Sequence, residues 1–259
     1  MSPLCVYLTG LVVSLAVLTL VWLVQLKTDD ASPVDVAWSW LMGGLGVLFA
    51  AAGDAPLAVR VLLGLMAGLW GLRLGGYLAL RMRGQPEDSR YAAARASWGA
   101  RAPLYMLLFF WFQAVAAWIL ALPFLVVAFR PDMPGASWLL LAGVIWLVSV
   151  VGEALADHQL HRFKRDPANR GHVCRTGLWR YSRHPNYFFE SLHWVSYVFL
   201  AIGAPYWWAT LASPVIMAWL LLRVSGIPTV ESREGKAKRI GYDEYVRTTS
   251  AFIPWPPKA

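Results

Sequence analysis

The chain alternates long apolar stretches with short polar segments. A helix needs about 20 apolar residues to cross a hydrocarbon core about 30 Å thick, and seven stretches are long enough. They lie near Leu4–Leu26, Val36–Ala52, Pro56–Leu80, Pro103–Phe129, Trp138–Ala156, Tyr187–Ile202 and Tyr206–Leu222. The pattern therefore predicts an all-α, polytopic integral membrane protein with seven transmembrane helices, forming a single domain over residues 1–259.

The composition supports this prediction. Hydrophobic residues make up 58% of the 259 residues and charged residues 15%, against roughly 45–50% and 25% in soluble chains. Such a chain has too much apolar surface to be disordered, and too few residues remain between the apolar stretches for a soluble two-domain enzyme. The distant pair Cys5 and Cys174 indicates no disulfide framework. The first stretch lacks a cleavage site, so we expect a retained helix, and without a GxxxG pair it indicates no oligomer.

Basic residues predict the orientation, because lysine and arginine near helix ends are retained on the cytoplasmic face. With an extracytoplasmic N-terminus and a cytoplasmic C-terminus, nearly all of the 23 Lys and Arg lie on the cytoplasmic side. Only Arg130 falls opposite, while Arg60 and Arg73 lie within the third stretch. This topology explains much of the net charge of +8. The basic residues from Arg162 to Arg183 also favour a polyanionic ligand, whereas no pattern for nucleic-acid binding stands outside the membrane.

Ionisable residues inside apolar stretches cost about 2.5–3.5 kcal/mol or more near the bilayer centre and mark candidate sites. They cluster toward the predicted cytoplasmic ends, at Asp35, Arg73, Glu153, Asp157, Glu190 and His193. Helical spacing groups polar positions on three faces, namely Glu153, Asp157, Leu160 and Lys164; Asn186, Glu190, His193 and Trp194; and Arg73, Tyr77 and Arg81. We therefore predict a shared polar cavity open to the cytoplasm. Ion pairs between helices and snorkelling of long basic side chains are the alternative.

Common catalytic and metal motifs are missing from the sequence. All five histidines lie between His158 and His193, but only His158 and His161 share a helix at a workable interval, so no metal site is predicted. The sequence has no GxGxxG turn, no phosphate-binding GxxxxGK loop and no GxSxG elbow. Any nucleotide must be held by helices and loops, and Arg165–Pro185 has the composition of a ligand-covering loop. The charged tail after Pro228 predicts a short interfacial helix.

The segment Gly177–Glu190, GLWRYSRHPNYFFE, and the tail Thr249–Trp255, TSAFIPW, are similar to sequences of a known family. They resemble the steroid 5α-reductase family, most closely bacterial membrane proteins related to its C-terminal domain. The resemblance covers the C-terminal part of the chain and, less specifically, Leu63–Gly84. It implies a reductase of the bacterial cell membrane that binds NADPH from the cytoplasmic side and reduces a carbon–carbon double bond conjugated to a ketone, in a steroid or another flat lipid. In this interpretation about residues 1–130 form the lipid substrate side and about 138–259 the NADPH side.

The resemblance also implies site residues. The cofactor-binding positions fall on Arg73, Tyr77, Arg83, Glu153, Asp157, Leu160, Arg162, Lys164, Arg175, Arg183, Asn186, Tyr187, Glu190 and Trp194. Asn186 and Glu190 would fix the carboxamide of NADPH, and the basic residues that follow Asp157 would bind its phosphates, including the 2′-phosphate. Two positions depart from the steroid enzymes, since Glu153 replaces an asparagine and Lys164 an arginine.

The catalytic acid is harder to assign. The tyrosine expected three positions before Arg73 is Trp70 here. Asp35 is the first candidate, because a carboxyl at an apolar helix end should stay protonated and donate to the ketone oxygen. Trp38 and Tyr77 are the alternative donors. Asp35 is also explained as an N-cap of the second helix.

Other functions stay open. The RHPxY sequence of Arg183–Tyr187 also resembles the loop of isoprenylcysteine and phospholipid methyltransferases, which bind S-adenosylmethionine. Those enzymes generally carry a small residue two positions after the tyrosine, where Phe189 stands here, and Asn186 with Glu190 favours the reductase. A lipid-binding scaffold leaves the ionisable residues unexplained, and a transporter has little support without an internal repeat.

Overall fold

A computed structural model describes residues 1–236 and 239–258. Helices account for 78% of these residues, which contain no strand. In chain order the α-helices are α1 Pro3–Thr28, α2 Pro33–Ala52, α3 Leu57–Met82, α4 Ser89–Trp98, α5 Ala102–Leu120, α6 Leu122–Ala128, α7 Ala136–Arg165, α8 Pro185–Ala201, α9 Ala212–Trp219, α10 Ile227–Lys236 and α11 Tyr242–Thr248.

The seven predicted stretches all fall on helical segments. Within the described part of the chain, six segments are long and apolar enough to cross a membrane. The remaining stretch forms α8, which has 17 residues. The all-α class and the spanning helices are thus confirmed at this level. The predicted orientation of the two termini stays a prediction.

Several boundaries were predicted wrongly. The fourth stretch breaks at Ala121 between α5 and α6, because Pro123 lacks an N–H and its ring clashes with the preceding turn. The seventh stretch begins with the 3₁₀ turn Trp207–Leu211 and ends with the π-helical turn Leu220–Val224. The tail forms two helices, α10 and α11, instead of one. Residues 237 and 238, which belong to the predicted tail helix, lie outside the described residues.

The chain divides into two compact units. Unit 1 comprises Met1–Pro134 with Gly203–Thr210, and unit 2 comprises Gly135–Ile202 with Leu211–Ala259. The first division falls between the two sides predicted from the resemblance, about 1–130 and 138–259. The prediction that the chain forms one domain stays a prediction.

In unit 1, aromatic side chains join α1 to α5. The rings of Tyr7 and Trp118 stack at 4.3 Å, and the Trp118 indole donates to the carbonyl of Tyr7 at 2.8 Å. At the other end of α1, the Trp22 indole donates to the carbonyl of Pro103 at 2.8 Å. Early residues of α1 thus meet late residues of α5, so the two helices are antiparallel.

Small residues let α2 and α3 approach closely within the same unit. A Cβ added to Gly71 would lie 2.8 Å from the Cα of Gly43, and one added to Gly46 would lie 2.2 Å from the Cβ of Ala67. Such contacts between small residues are the usual way in which apolar helices associate without a hydrophobic driving force. The spacing of Ala67, Gly71 and Gly75 by four residues on α3 is a sequence signal of this contact.

In unit 2, α7 packs antiparallel against α8. The rings of Trp138 and Phe199 stack at one end at 5.8 Å, and Phe189 covers Gly152 further along, where an added Cβ would lie 2.5 Å from the ring. α7 continues to Arg165, beyond its predicted end at Ala156. This extension brings the polar end of α7 alongside the start of α8.

Candidate functional site

Three acidic residues of α7 and α8 lie buried in unit 2. Glu153, Asp157 and Glu190 are 4%, 5% and 8% exposed. The side-chain amide of Asn186 donates to Oδ1 of Asp157 at 3.4 Å, and the indole of Trp194 donates to Oε1 of Glu190 at 3.1 Å. The two predicted polar faces of these helices therefore point toward each other.

The carbonyl oxygen of Asn186 is the distinctive atom of this group. It is buried, and the described residues offer it no hydrogen-bond donor. A buried acceptor without a donor costs about 1–3 kcal/mol. A ligand that carries an N–H group would remove this penalty.

The polar face of α8 extends deeper than the predicted site. His193 and Tyr197 are fully buried, and their rings meet edge to face at 5.0 Å. Leu160, on the facing side of α7, is half-buried, and Tyr187 stacks on the ring of His184 at 5.5 Å.

The loop between α7 and α8 is held onto α7. The carboxamide oxygen of Gln159 accepts from the backbone N–H of Leu178 at 2.9 Å, and the indole of Trp179 donates to the carbonyl of Ala156 at 2.9 Å. Gly177 has a φ of 61° and lies against Gln159, where an added Cβ would be 2.5 Å away. The predicted ligand-covering loop is thus an ordered part of the α7 surface.

Arg183 is engaged within the protein. Its Nε donates to Oε1 of Glu231 at 2.8 Å, and its Nη1 donates to the carbonyls of Val246 and Thr249 at 3.0 and 2.7 Å. His184 reaches the same Glu231 oxygen at 3.2 Å. These contacts tie the start of α8 to α10 and to the end of α11. Its expected role as a phosphate ligand stays a prediction.

The C-terminal segment covers the same loop. The hydroxyl of Ser182 donates to the carbonyl of Phe252 at 2.7 Å, and the backbone N–H of Trp255 donates to the carbonyl of Tyr181 at 2.9 Å. The phenol of Tyr245, on α11, donates to the carbonyl of Trp179 at 2.6 Å. The tail Thr249–Trp255 therefore packs on the segment Gly177–Glu190, and these are the two segments that carry the family resemblance.

The other predicted phosphate ligands differ in their surroundings. Nη1 of Arg175 pairs with Glu244 at 2.9 Å, while its Nε is buried and meets no acceptor among the described residues. Lys164 is exposed and lies near Cys174, a thiol whose pKa is raised chiefly by burial. Arg162 is exposed on another face of α7.

In unit 1, Asp35 lies in the first turn of α2 and accepts two short hydrogen bonds. Nη2 of Arg90 donates to its Oδ2 at 2.6 Å, and the phenol of Tyr91 donates to its Oδ1 at 2.6 Å. A carboxylate placed in a first helical turn is also favoured by the helix dipole. Both oxygens of Asp35 therefore accept from residues of α4, and its expected role as the catalytic acid stays a prediction. Ser32, not Asp35, occupies the N-cap position.

The remaining predicted residues of unit 1 lie on α2 and α3. Trp38, Arg73 and Tyr77 are half-buried, and Arg83 is exposed just after α3. Trp70, which occupies the position of the expected tyrosine, is fully buried. The predicted cavity shared by all these groups stays a prediction.

Sequence reasoning missed the partners of these residues. Glu231, Tyr91 and Tyr245 hold predicted site residues or the loop beside them, but none lies on an apolar stretch with a polar face that would have marked it. Among the described residues, no group of three or more His, Cys, Asp or Glu is placed to hold a metal ion.

Comparisons with known proteins give a family but no activity. The model of a family described as "Protein of unknown function (DUF1295)" matches residues 21–249. An "Uncharacterized protein C594.04c" of Schizosaccharomyces pombe is 28% identical over 251 residues, which covers 83% of this chain and 69% of the yeast protein. No solved structure matches the chain.

Proposed function

The chain belongs to the DUF1295 family, and from the geometry of unit 2 we propose that it is an NADPH-dependent reductase of an enone carbon–carbon double bond in a membrane lipid. A 3-oxo-Δ4 steroid or a related flat lipid is the proposed substrate. The proposal includes a bacterial cell membrane and a cofactor site that faces the cytoplasm. Family membership is compatible with it, because the family is related to steroid 5α-reductase-like membrane proteins.

The buried carbonyl of Asn186 carries the proposal. The nicotinamide carboxamide has an NH₂ group that this oxygen would accept, while Asp157 holds the other end of the Asn186 side chain at 3.4 Å. Because Asp157 accepts from the NH₂ group of Asn186, the carbonyl oxygen of Asn186 is the end left for the ligand. The ligand amide must therefore present its NH₂ group to that oxygen. Glu190, held by Trp194 one turn further, offers a second acceptor for the same NH₂ group or for a ribose hydroxyl.

Two basic residues of unit 2 suit the phosphates. The buried Nε of Arg175 offers a donor in addition to those that bind Glu244 and the carbonyl of Gly241, and Lys164 adds a charge on the face of α7 that carries Asp157. When bound, NADPH supplies the hydride for the double bond. The residues of the chain bind and orient it, and burial of their polar groups excludes water.

Tyr77 is the proposed donor to the ketone oxygen. Both carboxyl oxygens of Asp35 accept hydrogen bonds, one from Arg90 and one from Tyr91. Tyr77 is half-buried on α3, one turn after Arg73, and a nearby cation favours release of a phenol proton as negative charge develops on the substrate oxygen.

Ligand-dependent heat stability tests this proposal. We expect NADPH, and not S-adenosylmethionine, to raise the melting temperature of the detergent-purified protein, because a ligand that binds only the folded state stabilises it by mass action. Incubation with a panel of enones and NADPH, followed by mass spectrometry, should show products two mass units heavier. Stabilisation by S-adenosylmethionine alone would replace the reductase with a methyltransferase.

A further inference from the structure

One face of α7 is exposed along most of its length. Large apolar residues recur on this face every three or four positions and are 45% to 68% exposed, namely Leu140, Val144, Leu147, Val148, Val151 and Leu155. This spacing gives a continuous apolar stripe on an α-helix. In a bilayer such a stripe faces the acyl chains of the lipids.

In the last turns of α7, the same face of the helix carries basic residues. His158, His161, Arg162 and Arg165 continue the stripe, and all four are exposed. At about 100° per residue, Arg162 lies within about 20° of Leu155 and about 140° from Asp157. The nearby carboxylate of Asp166 accepts from the backbone N–H of Ala168 at 2.9 Å. The change from apolar to basic residues falls between Leu155 and His158.

The length of α7 places this change near the edge of a bilayer. Its 30 residues span about 45 Å, whereas the hydrocarbon core is about 30 Å thick. The last turns therefore extend into the headgroup region. Phosphates of anionic lipids lie at this depth, and arginine binds phosphate in a bidentate manner.

We infer that the exposed basic face of α7, formed by His158, His161, Arg162 and Arg165, binds the headgroup phosphates of anionic phospholipids. The acyl chains of the lipids lie along the apolar stripe, and the arginines bind the phosphates at the ends of those chains. Arg162 thus serves the lipid and not the cofactor, for which Lys164 stands about 160° away around the helix. This inference is independent of the proposed reductase activity.

Lipid retention in native mass spectrometry tests the inference. The full-length protein is equilibrated with an equal mixture of phosphatidylglycerol and phosphatidylcholine, and the lipids that stay bound are counted. We expect a preference for phosphatidylglycerol that falls about 30-fold in the double variant Arg162→Gln/Arg165→Gln, since each basic residue contributes about 1 kcal/mol at an anionic surface. Arg162→Lys/Arg165→Lys, which keeps the charge, should retain most of the preference.

The matched control is Arg170→Gln/Arg180→Gln, which removes the same charge from exposed positions of the neighbouring loop. An equal loss in this control would mean that only net charge matters and would overturn the inference. A protein without any preference for phosphatidylglycerol would overturn it as well. Loss of stabilisation by NADPH in Arg162→Gln/Arg165→Gln, with lipid preference intact, would assign the arginines to the cofactor phosphates instead.

Discussion

Nε of Arg183 donates to one carboxylate oxygen of Glu231 at 2.8 Å, and Nη2 of Arg183 lies 2.8 Å from the same oxygen in an ion pair. The two side chains are only 11% and 27% exposed. The pair joins the residues just before α8 to α10, and α8 begins two residues after Arg183. The position of Asn186 on α8 therefore depends on a contact with a residue far along the chain.

Glu231→Gln should lower the stability of the folded protein by about 2 kcal/mol, because it leaves the largely buried guanidinium of Arg183 without its counter-charge. The melting temperature in detergent measures the effect. Glu244→Gln is the matched control, since its pair with Arg175 is more exposed and is expected to contribute less than about 1 kcal/mol. Equal losses in the two variants would contradict a special role for the Arg183 pair.

His184 should make stability depend on pH. Burial lowers the pKa of His184 below its usual value of 6.5, although Glu231 opposes this shift. Below about pH 6.5 the His184 imidazole binds a proton in the unfolded chain more readily than in the folded protein. Stability is therefore retained above that pH and falls as the pH drops toward the folded-state pKa. Melting temperatures between pH 5 and 8 should therefore fall less steeply in His184→Gln. If the melting temperatures of the unmodified protein and of His184→Gln change equally with pH, the pH dependence does not come from His184.

Asn186→Ala should weaken the affinity for NADPH by about tenfold or more, since it removes the buried carbonyl proposed to accept from the carboxamide. The rise in melting temperature on adding NADPH measures this loss. The melting temperature without ligand should fall only modestly, because the deleted oxygen has no donor among the described residues and the hydrogen bond lost to Asp157 is long, at 3.4 Å. Ser191→Ala is the control, as it removes another buried polar atom of α8 without a described partner. A large loss of stability without NADPH would make Asn186 a structural residue.

Tyr77→Phe should reduce enone turnover by at least about 100-fold while NADPH still stabilises the protein, because only the donor hydroxyl is removed. Asp35→Asn should instead act on stability, since Asp35 holds Arg90 and Tyr91 of α4. Turnover and melting temperature are measured for both variants. A variant Asp35→Asn of normal stability without turnover would restore Asp35 as the acid.

Gly71→Ala should destabilise unit 1 by about 2 kcal/mol or more, because the new methyl group would lie 2.8 Å from the backbone of Gly43 and of Ser39. Gly76→Ala on the same helix meets no atom within 4 Å and should be neutral or slightly stabilising. Thermal unfolding of both variants gives the comparison. Similar stabilities would mean that α2 and α3 separate more easily than their contact suggests.

The sequence by itself determined the helical class and the polar faces of α7 and α8. A bilayer demands about 20 apolar residues per span, and the helical period fixes which residues share a face, so both features depend on local spacing alone. Asp157 and Asn186, which lie on these two polar faces, form a hydrogen bond.

Only the tertiary structure decided the partners of the charged residues. Arg90 pairs with Asp35, which lies 55 positions away in the sequence, and Arg183 pairs with Glu231, which lies 48 positions away. Which of several carboxylates an arginine meets depends on how the loops close and how the helices pack, and no local pattern records that geometry. For the same reason the sequence did not reveal that Asp35 contacts α4 or that Arg183 contacts α10.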